Sequence, residues 1–240
     1  MIRIALIGYG KMGKTIEKII AERYPDMQVV LKIGSSNMQD FTTENLQKVD
    51  IAIEFSRPES AYKNVLKCFE ANIPVVCGTT GWYDELNIVK QLCIDKKNTL
   101  LYGTNFSVGV NIFFELNKKL AQLMQHKSYE AKIDEIHHLQ KLDKPSGTAV
   151  SLANDLIVNN NNYKNWSLDN SSLASELAVY AHREDNVPGT HTITYQNNID
   201  KIEITHTAFS REGFADGAIL ASRWLVGKVG YFEMKDVLAL

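Results

Sequence analysis

The stretch IRIALIGYGKMGKTIEKII, from Ile2 to Ile20, decides the fold class. An apolar run from Ile2 to Ile7 is broken only by Arg3, a glycine-rich turn follows at once, and Ile16, Ile19 and Ile20 then recur at helical spacing. Strand, glycine turn and helix in that order, with Gly8, Gly10 and Gly13 spaced as GxGxxG, form the pattern of a dinucleotide phosphate loop. The first glycine permits the tight turn, the second lets the backbone approach a pyrophosphate, and the third brings helix and strand close together. The helix start adds unpaired N–H groups and a partial positive charge. Gly8, Tyr9, Gly10, Lys11, Met12 and Gly13 are therefore candidate cofactor contacts.

Working outward, MQVVLKI (27–33), VDIAIEF (49–55), IPVVCG (73–78) and TLLYG (99–103) read as further buried strands, with helical stretches after the third and fourth strands of the series. Strands alternating with helices predict a doubly wound parallel sheet of α/β type. From Tyr129 the character changes. YEAKIDEIH alternates polar and apolar residues as a half-exposed strand does, and THTITYQ and KIEITHTAF do the same across a QNNID turn, which predicts a second, antiparallel or mixed sheet. The polar stretch NNNNYKNWSLDNSS (159–172) reads as a surface loop without chemistry. The segment GFADGAILASRWLVGK returns to helical spacing.

Composition bounds the function. With 240 residues, 45% of them hydrophobic, the chain can bury a real core, and its net charge of −2 carries no sign of a nucleic-acid footprint. Its apolar runs fall far short of a membrane span and no charged, then apolar, leader opens it, so a cytoplasmic protein is expected. Cys68, Cys77 and Cys93 form no CxxC pair and read as buried small hydrophobes. Where an acid would contact the ribose, about 20 residues past the last glycine, the sequence has LKIGSSN. Lys32, Ser35 and Ser36 offer a cation and hydroxyls there, so NADPH is expected to be accepted alongside NADH.

A second informative stretch is EIHHLQKLDKPSGTAVSLA, from Glu135 to Ala153. On a strand, His137 and Lys141 share one face and His138 points to the other, a poor arrangement for a metal; no metal is expected. At full extension the first two lie about 13 Å apart, so the chain must bend before Pro145 for both to reach one small ring. Ser146 or Thr148 can cap the following helix. Alternatively, the exposed N–H groups of Gly147 and Thr148 can hold a carboxylate. His137 as acid or base and Lys141 as proton donor, beside a hydride donor, suit reduction of a polarised C=N or conjugated system.

These residues resemble the dihydrodipicolinate reductase family over nearly the whole chain. The resemblance rests on E-x-HH-x-x-K-x-D-x-PSGTA at Glu135 to Ala149, with support from CGTTGW (77–82), NFSVGVN (105–111), PGTHT (188–192) and EITHTAFSREGFADGA (203–218). It implies that His137 and Lys141 are the proton-transfer pair, that His138, Gly147 and Thr148 bind a small dicarboxylate substrate, and that Gly78, Thr79, Thr80, Gly103, Thr104, Asn105 and Phe106 line the nicotinamide side of the cofactor. It also implies a Rossmann domain made of residues 1–107 and 212–240, a second α+β domain at 108–211, and a homotetramer. Two departures, a glycine loop one residue shorter than GxxGxMG and the missing acid, concern the cofactor and leave the catalytic signature untouched. The alternatives are an amino-acid dehydrogenase of the aspartate dehydrogenase kind, which does not require the PSGT turn, and a dinucleotide sensor without activity, which has no reason to keep His137 and Lys141.

Overall fold

The computed structural model describes residues 1–169, 171, 173–210 and 212–240. Asn170 and Ser172 of the asparagine-rich stretch, and Arg211 at the expected domain limit, lie outside the described residues. The chain divides into two compact units, Met1–Val108 with Glu212–Leu240, and Gly109–Arg211.

In the first unit β1 (Ile2–Ile7), α1 (Lys11–Arg23), β2 (Met27–Ile33), α2 (Thr43–Leu46), β3 (Ile51–Glu54), α3 (Pro58–Glu70), β4 (Val75–Cys77), α4 (Tyr83–Asp95) and β5 (Thr99–Tyr102) follow in turn. The chain then enters α5 (Val108–Leu123) and the second unit, which contains β6 (Glu130–His137), α6 (Gly147–Asn159), β7 (Asn165–Leu168), β8 (Glu176–Arg183), β9 (Gly189–Gln196) and β10 (Lys201–Ala208). It returns to the first unit with α7 (Glu212–Leu225), β11 (Gly230–Phe232) and α8 (Met234–Leu238).

The first sheet is parallel throughout, in the order β11-β5-β4-β3-β1-β2. Strands β3, β4, β5 and most of β1 are buried on both faces, which is why they read as continuous apolar runs, whereas the edge strand β2 exposes Gln28, Val30 and Lys32. Ile4 and Leu6 pack with Ile16, Ile19 and Ile219 on one face, while Ala5 and Ile7 belong to the cluster containing Val65, Cys68 and Cys93 on the other. All three cysteines are free and buried. Strand order reverses between β1 and β3, where a doubly wound sheet opens a crevice at its carboxyl edge.

The second sheet is mixed, in the order β10-β9-β6-β8-β7, with β9 antiparallel to both neighbours and β6, β8 and β7 mutually parallel. Helices α5 and α6 cover one face, burying Phe113, Leu152 and Leu156 against Ile133, Val179, Ile193 and Tyr195. One expectation needs correction: residues 165–168 of the supposed loop form the edge strand β7, paired with β8. Asparagines around NWSL hid a strand whose pattern is only four residues long. Two further strands, β8 and β11, went unpredicted. Among the described residues, no helix is long and apolar enough to cross a membrane.

Candidate active site

In the first unit the glycine loop leaves β1 at the switch point. Gly8 has φ +93°, and a Cβ there would lie 2.0 Å from the Phe55 carbonyl oxygen, so the turn after β1 admits only glycine against the end of β3. A Cβ on Gly13 would lie 2.8 Å from the Gly8 carbonyl oxygen, which keeps α1 tight on the turn. Gly10 differs. It caps α1 without any side-chain acceptor, and a Cβ there would meet nothing within 4 Å. An uncapped helix start with open space and no acid in its first turn fits a pyrophosphate.

The remaining loop side chains face other tasks. Lys11 is exposed and Met12 packs on the core. The Tyr9 hydroxyl bonds Glu17, whose other oxygen accepts from the Lys32 ammonium at 3.2 Å, while that ammonium lies 5.3 Å from the centre of the Tyr9 ring. An acid therefore does stand beside Lys32, supplied by α1 and not by the residues after β2. Ser35 and Ser36 are exposed.

At the other strand ends, Gly78 is required because a Cβ would strike the Phe55 ring at 2.1 Å. Thr79 is buried, its hydroxyl accepting from the Ser56 N–H at 2.8 Å and its carbonyl from the Trp82 indole at 2.7 Å. Thr80 and Thr104 are exposed, and Gly103 lies against the Phe106 ring. Asn105 is buried and accepts from the Ser107 N–H at 2.9 Å. Phe106 is 2% exposed and meets Phe55 edge-on, so its ring is core.

In the second unit, β6 ends at His137, and the Lys141 N–H donates to the His138 carbonyl at 3.1 Å. The strand does not run to Lys141. That turn supplies the bend demanded before Pro145. Ala131, Ile133, Glu135 and His137 point to the helix-covered face, a row that begins apolar and ends ionisable. His138 lies just past the strand, half-buried.

Glu135 is fully buried and gathers the site around it. Its carboxylate accepts the Ser146 N–H at 3.1 and 3.0 Å and an Arg183 N–H at 3.3 Å. Its Oε2 lies 3.6 Å from His137 Nδ1 and 3.6 Å from His191 Nε2. His191 stands opposite Glu135 on β9, and Arg183 opposite His137 on β8. The His191 ring meets the His137 ring edge-on at 5.0 Å, and its Nε2 is 3.1 Å from the Ser146 hydroxyl. Burial alone would push the Glu135 carboxyl up, but the nearby His191 ring and the hydrogen bonding of Ser146 prevail and hold it at about 2. Burial pushes His137 down to about 4, with the charges of His191, Lys141 and Arg183 acting the same way and Glu135 opposing them. At neutral pH Glu135 is charged and His137 is not.

Ser146 caps α6, its hydroxyl accepting from the Ala149 N–H at 3.2 Å. Gly147 and Thr148 occupy the first two helical positions, where N–H groups have no acceptor within the helix. Gly147 is exposed, and a Cβ there would meet nothing within 4 Å. The Lys141 ammonium is held by both carboxylate oxygens of Asp143 at 2.8 Å, and Arg183 pins this loop by donating to the carbonyls of Lys141 at 3.3 Å and Asp143 at 2.6 Å.

Glu135, Arg183 and His191 were missed from the sequence. Glu135 was findable, because the two-residue period through Ala131, Ile133 and His137 includes it. The other two come from strand pairing, for which nothing local speaks. Glu135, His137 and His191 also form a three-donor cluster of metal-ligand type, with donor atoms within 4.8 Å of one another, which the sequence neighbours did not reveal. The carboxylate already faces the Arg183 cation and the Ser146 N–H.

Residues 2–106 match the family described as "Dihydrodipicolinate reductase, N-terminus", and residues 109–238 match "Dihydrodipicolinate reductase, C-terminus". The chain belongs to the dihydrodipicolinate reductase family. Within this family, the 4-hydroxy-tetrahydrodipicolinate reductase of Christiangramia forsetii is 50% identical over 241 residues, covering 98% of this chain and 97% of the relative. The protein of the same name from Methanoregula boonei is 31% identical, covering 100% and 99%. Among solved structures, a dipicolinate-bound dihydrodipicolinate reductase from Paenisporosarcina sp. TG-14 shares the fold at TM-score 0.77, with 22% identity and 97% of each chain covered.

Proposed function

We propose that the chain reduces 4-hydroxy-tetrahydrodipicolinate to tetrahydrodipicolinate with loss of water, as an enzyme of lysine and diaminopimelate biosynthesis. A reduced nicotinamide dinucleotide, NADPH or NADH, supplies the hydride. One observation carries the proposal: in a chain of this family, one buried carboxylate, Glu135, lies 3.6 Å from a proton-handling histidine and accepts the N–H of Ser146, the cap of the α6 helix start.

The N–H groups of Gly147 and Thr148 bind a substrate carboxylate and orient the ring. His138 touches the substrate. Water leaves, a hydride adds at one ring carbon and a proton adds at another, so one proton is consumed for each hydride. His137 and Lys141 handle that proton. A substrate with two carboxylates raises the affinity of His137 for a proton, offsetting the burial that keeps it neutral in the free protein. Lys141 must exchange Asp143 for the substrate, a short swing on an exposed loop.

For the cofactor, the glycine loop from Gly8 to Gly13 holds the pyrophosphate. The backbone of Gly78–Thr80 and Gly103–Phe106 frames the nicotinamide, with Thr79, Asn105 and Phe106 acting as buried supports. Assembly as a homotetramer is proposed from the family resemblance and is checked by light scattering. The activity itself is tested by following NAD(P)H oxidation with substrate freshly made by the preceding aldolase-type synthase. Oxidation that depends on that substrate is expected, and its absence overturns the proposal.

A further inference from the structure

Within the proposed reaction, one nitrogen of His137 must meet the substrate, and the surroundings of the two nitrogens are unlike. Nδ1 is sealed from solvent without a hydrogen-bond partner, and the Glu135 carboxylate lies 3.6 Å from it. Nε2 faces Gly189, where a Cβ would lie 3.0 Å from it, so the missing side chain leaves space at that nitrogen.

We infer that Glu135 is a positioning residue for His137: it keeps the proton on Nδ1, so that Nε2, on the Gly189 side, is the atom that exchanges a proton with the substrate. A neutral imidazole carries one N–H, and a buried carboxylate behind Nδ1 makes that nitrogen the favoured place for it. When His137 is doubly protonated, the same carboxylate stabilises the imidazolium. Donation from Nε2 then leaves the Nδ1–H form, and water restores the Nε2 proton. The 3.6 Å separation shortens as the ring charges. Through the Ser146 N–H, Glu135 also fixes the cap of α6, so one side chain aligns the proton donor with the helix start. The charged or titratable groups facing His137 are Glu135 on its own strand, His191 on β9, Arg183 on β8 and Lys141 on the following loop. Of these only Glu135 favours the imidazolium.

The inference rests on the proposed function, yet its first test needs no substrate. Long-range 1H–15N correlation on the full chain labelled with 15N-histidine should find His137 in its Nδ1–H tautomer at pH 7.5. An Nε2–H tautomer overturns the inference. In kinetics, folded Glu135→Gln keeps the size and an acceptor for Ser146 but loses the charge. It should lower kcat by roughly a hundredfold, within the range a positioned proton donor contributes, with KM little changed. The limb of the pH profile belonging to His137 should move to lower pH, and Glu135→Asp should restore part of both effects. A structural role alone would leave that limb in place, so a folded Glu135→Gln with the original kcat and pH profile overturns the inference. Should the Gln variant not fold, the tautomer of the unaltered protein still decides. If the unaltered protein fails to oxidise NAD(P)H with substrate, the proposed function falls while the tautomer result stands.

Discussion

Replacing Gly147 by valine separates binding from folding. Gly147 is the first residue of α6, is exposed, and has open space for 4 Å around a Cβ, so the substitution meets no crowding at that atom. Stability should stay within about 0.5 kcal/mol, as for surface changes away from special features. The branched side chain nonetheless stands beside the N–H groups of Gly147 and Thr148 at the place where a carboxylate must approach. Bonds to a charged group contribute about 1.5–3 kcal/mol each. Losing one or both should weaken binding of pyridine-2,6-dicarboxylate by at least about tenfold, every 1.4 kcal/mol being a factor of ten. Titration calorimetry measures the affinity and denaturant unfolding the stability. Thr148→Ala, which leaves both N–H groups intact, should retain most of the binding. Normal affinity in a folded Gly147→Val variant would refute the helix-start site.

His137→Ala and Lys141→Ala should each lower kcat by about 10²–10⁴, and the double variant should lose much less than the product of the two, because both serve one proton transfer; steady-state kinetics on folded variants decides it. Glu17→Gln frees Lys32 from its ion pair and should raise the NADPH/NADH ratio of kcat/KM by less than about fivefold, the scale of an exposed pair, whereas a fall in that ratio would remove Lys32 from the cofactor site. Stability should depend on pH through His137. Its folded pKa of about 4 lies below the ordinary 6.5, so as pH falls the unfolded chain takes up this proton first, and stability drops between those values. About 2 kcal/mol should disappear between pH 7.5 and 5 in denaturant titrations, and His137→Gln should remove that part of the slope. Glu135, also depressed, to about 2, adds its own loss only below the ordinary carboxylate range.

The dinucleotide-binding sheet was legible because β1, β3, β4 and β5 are largely apolar on both faces and are each followed by a helix or turn signal. Gly8 and Gly13 read from the sequence as a tight turn and a close helix contact, and the crowding around a Cβ at each fits those two mechanical roles. The second sheet was only partly legible. β7 is four residues long and flanked by asparagine, and β8 mixes inward Leu177 and Val179 with outward Tyr180 and His182 near a polar loop. The site shows the same division. His137 stood out by type and neighbours, whereas Arg183 and His191 join it only through pairing of β8 and β9 with β6, contacts 46 and 54 residues away in sequence. The Lys32–Glu17 pair was invisible for the same reason: its acid comes from α1, 15 residues before the lysine.

The most direct measurement uses NADPH carrying deuterium at the transferable position of the nicotinamide, with freshly generated 4-hydroxy-tetrahydrodipicolinate and the full chain, and weighs the product by mass spectrometry. One non-exchangeable deuterium should appear in tetrahydrodipicolinate for each NADPH consumed, and His137→Ala should slow its appearance by about 10²–10⁴. A product without deuterium, or a folded His137→Ala variant that labels product at the original rate, would contradict hydride transfer to a ring protonated at His137.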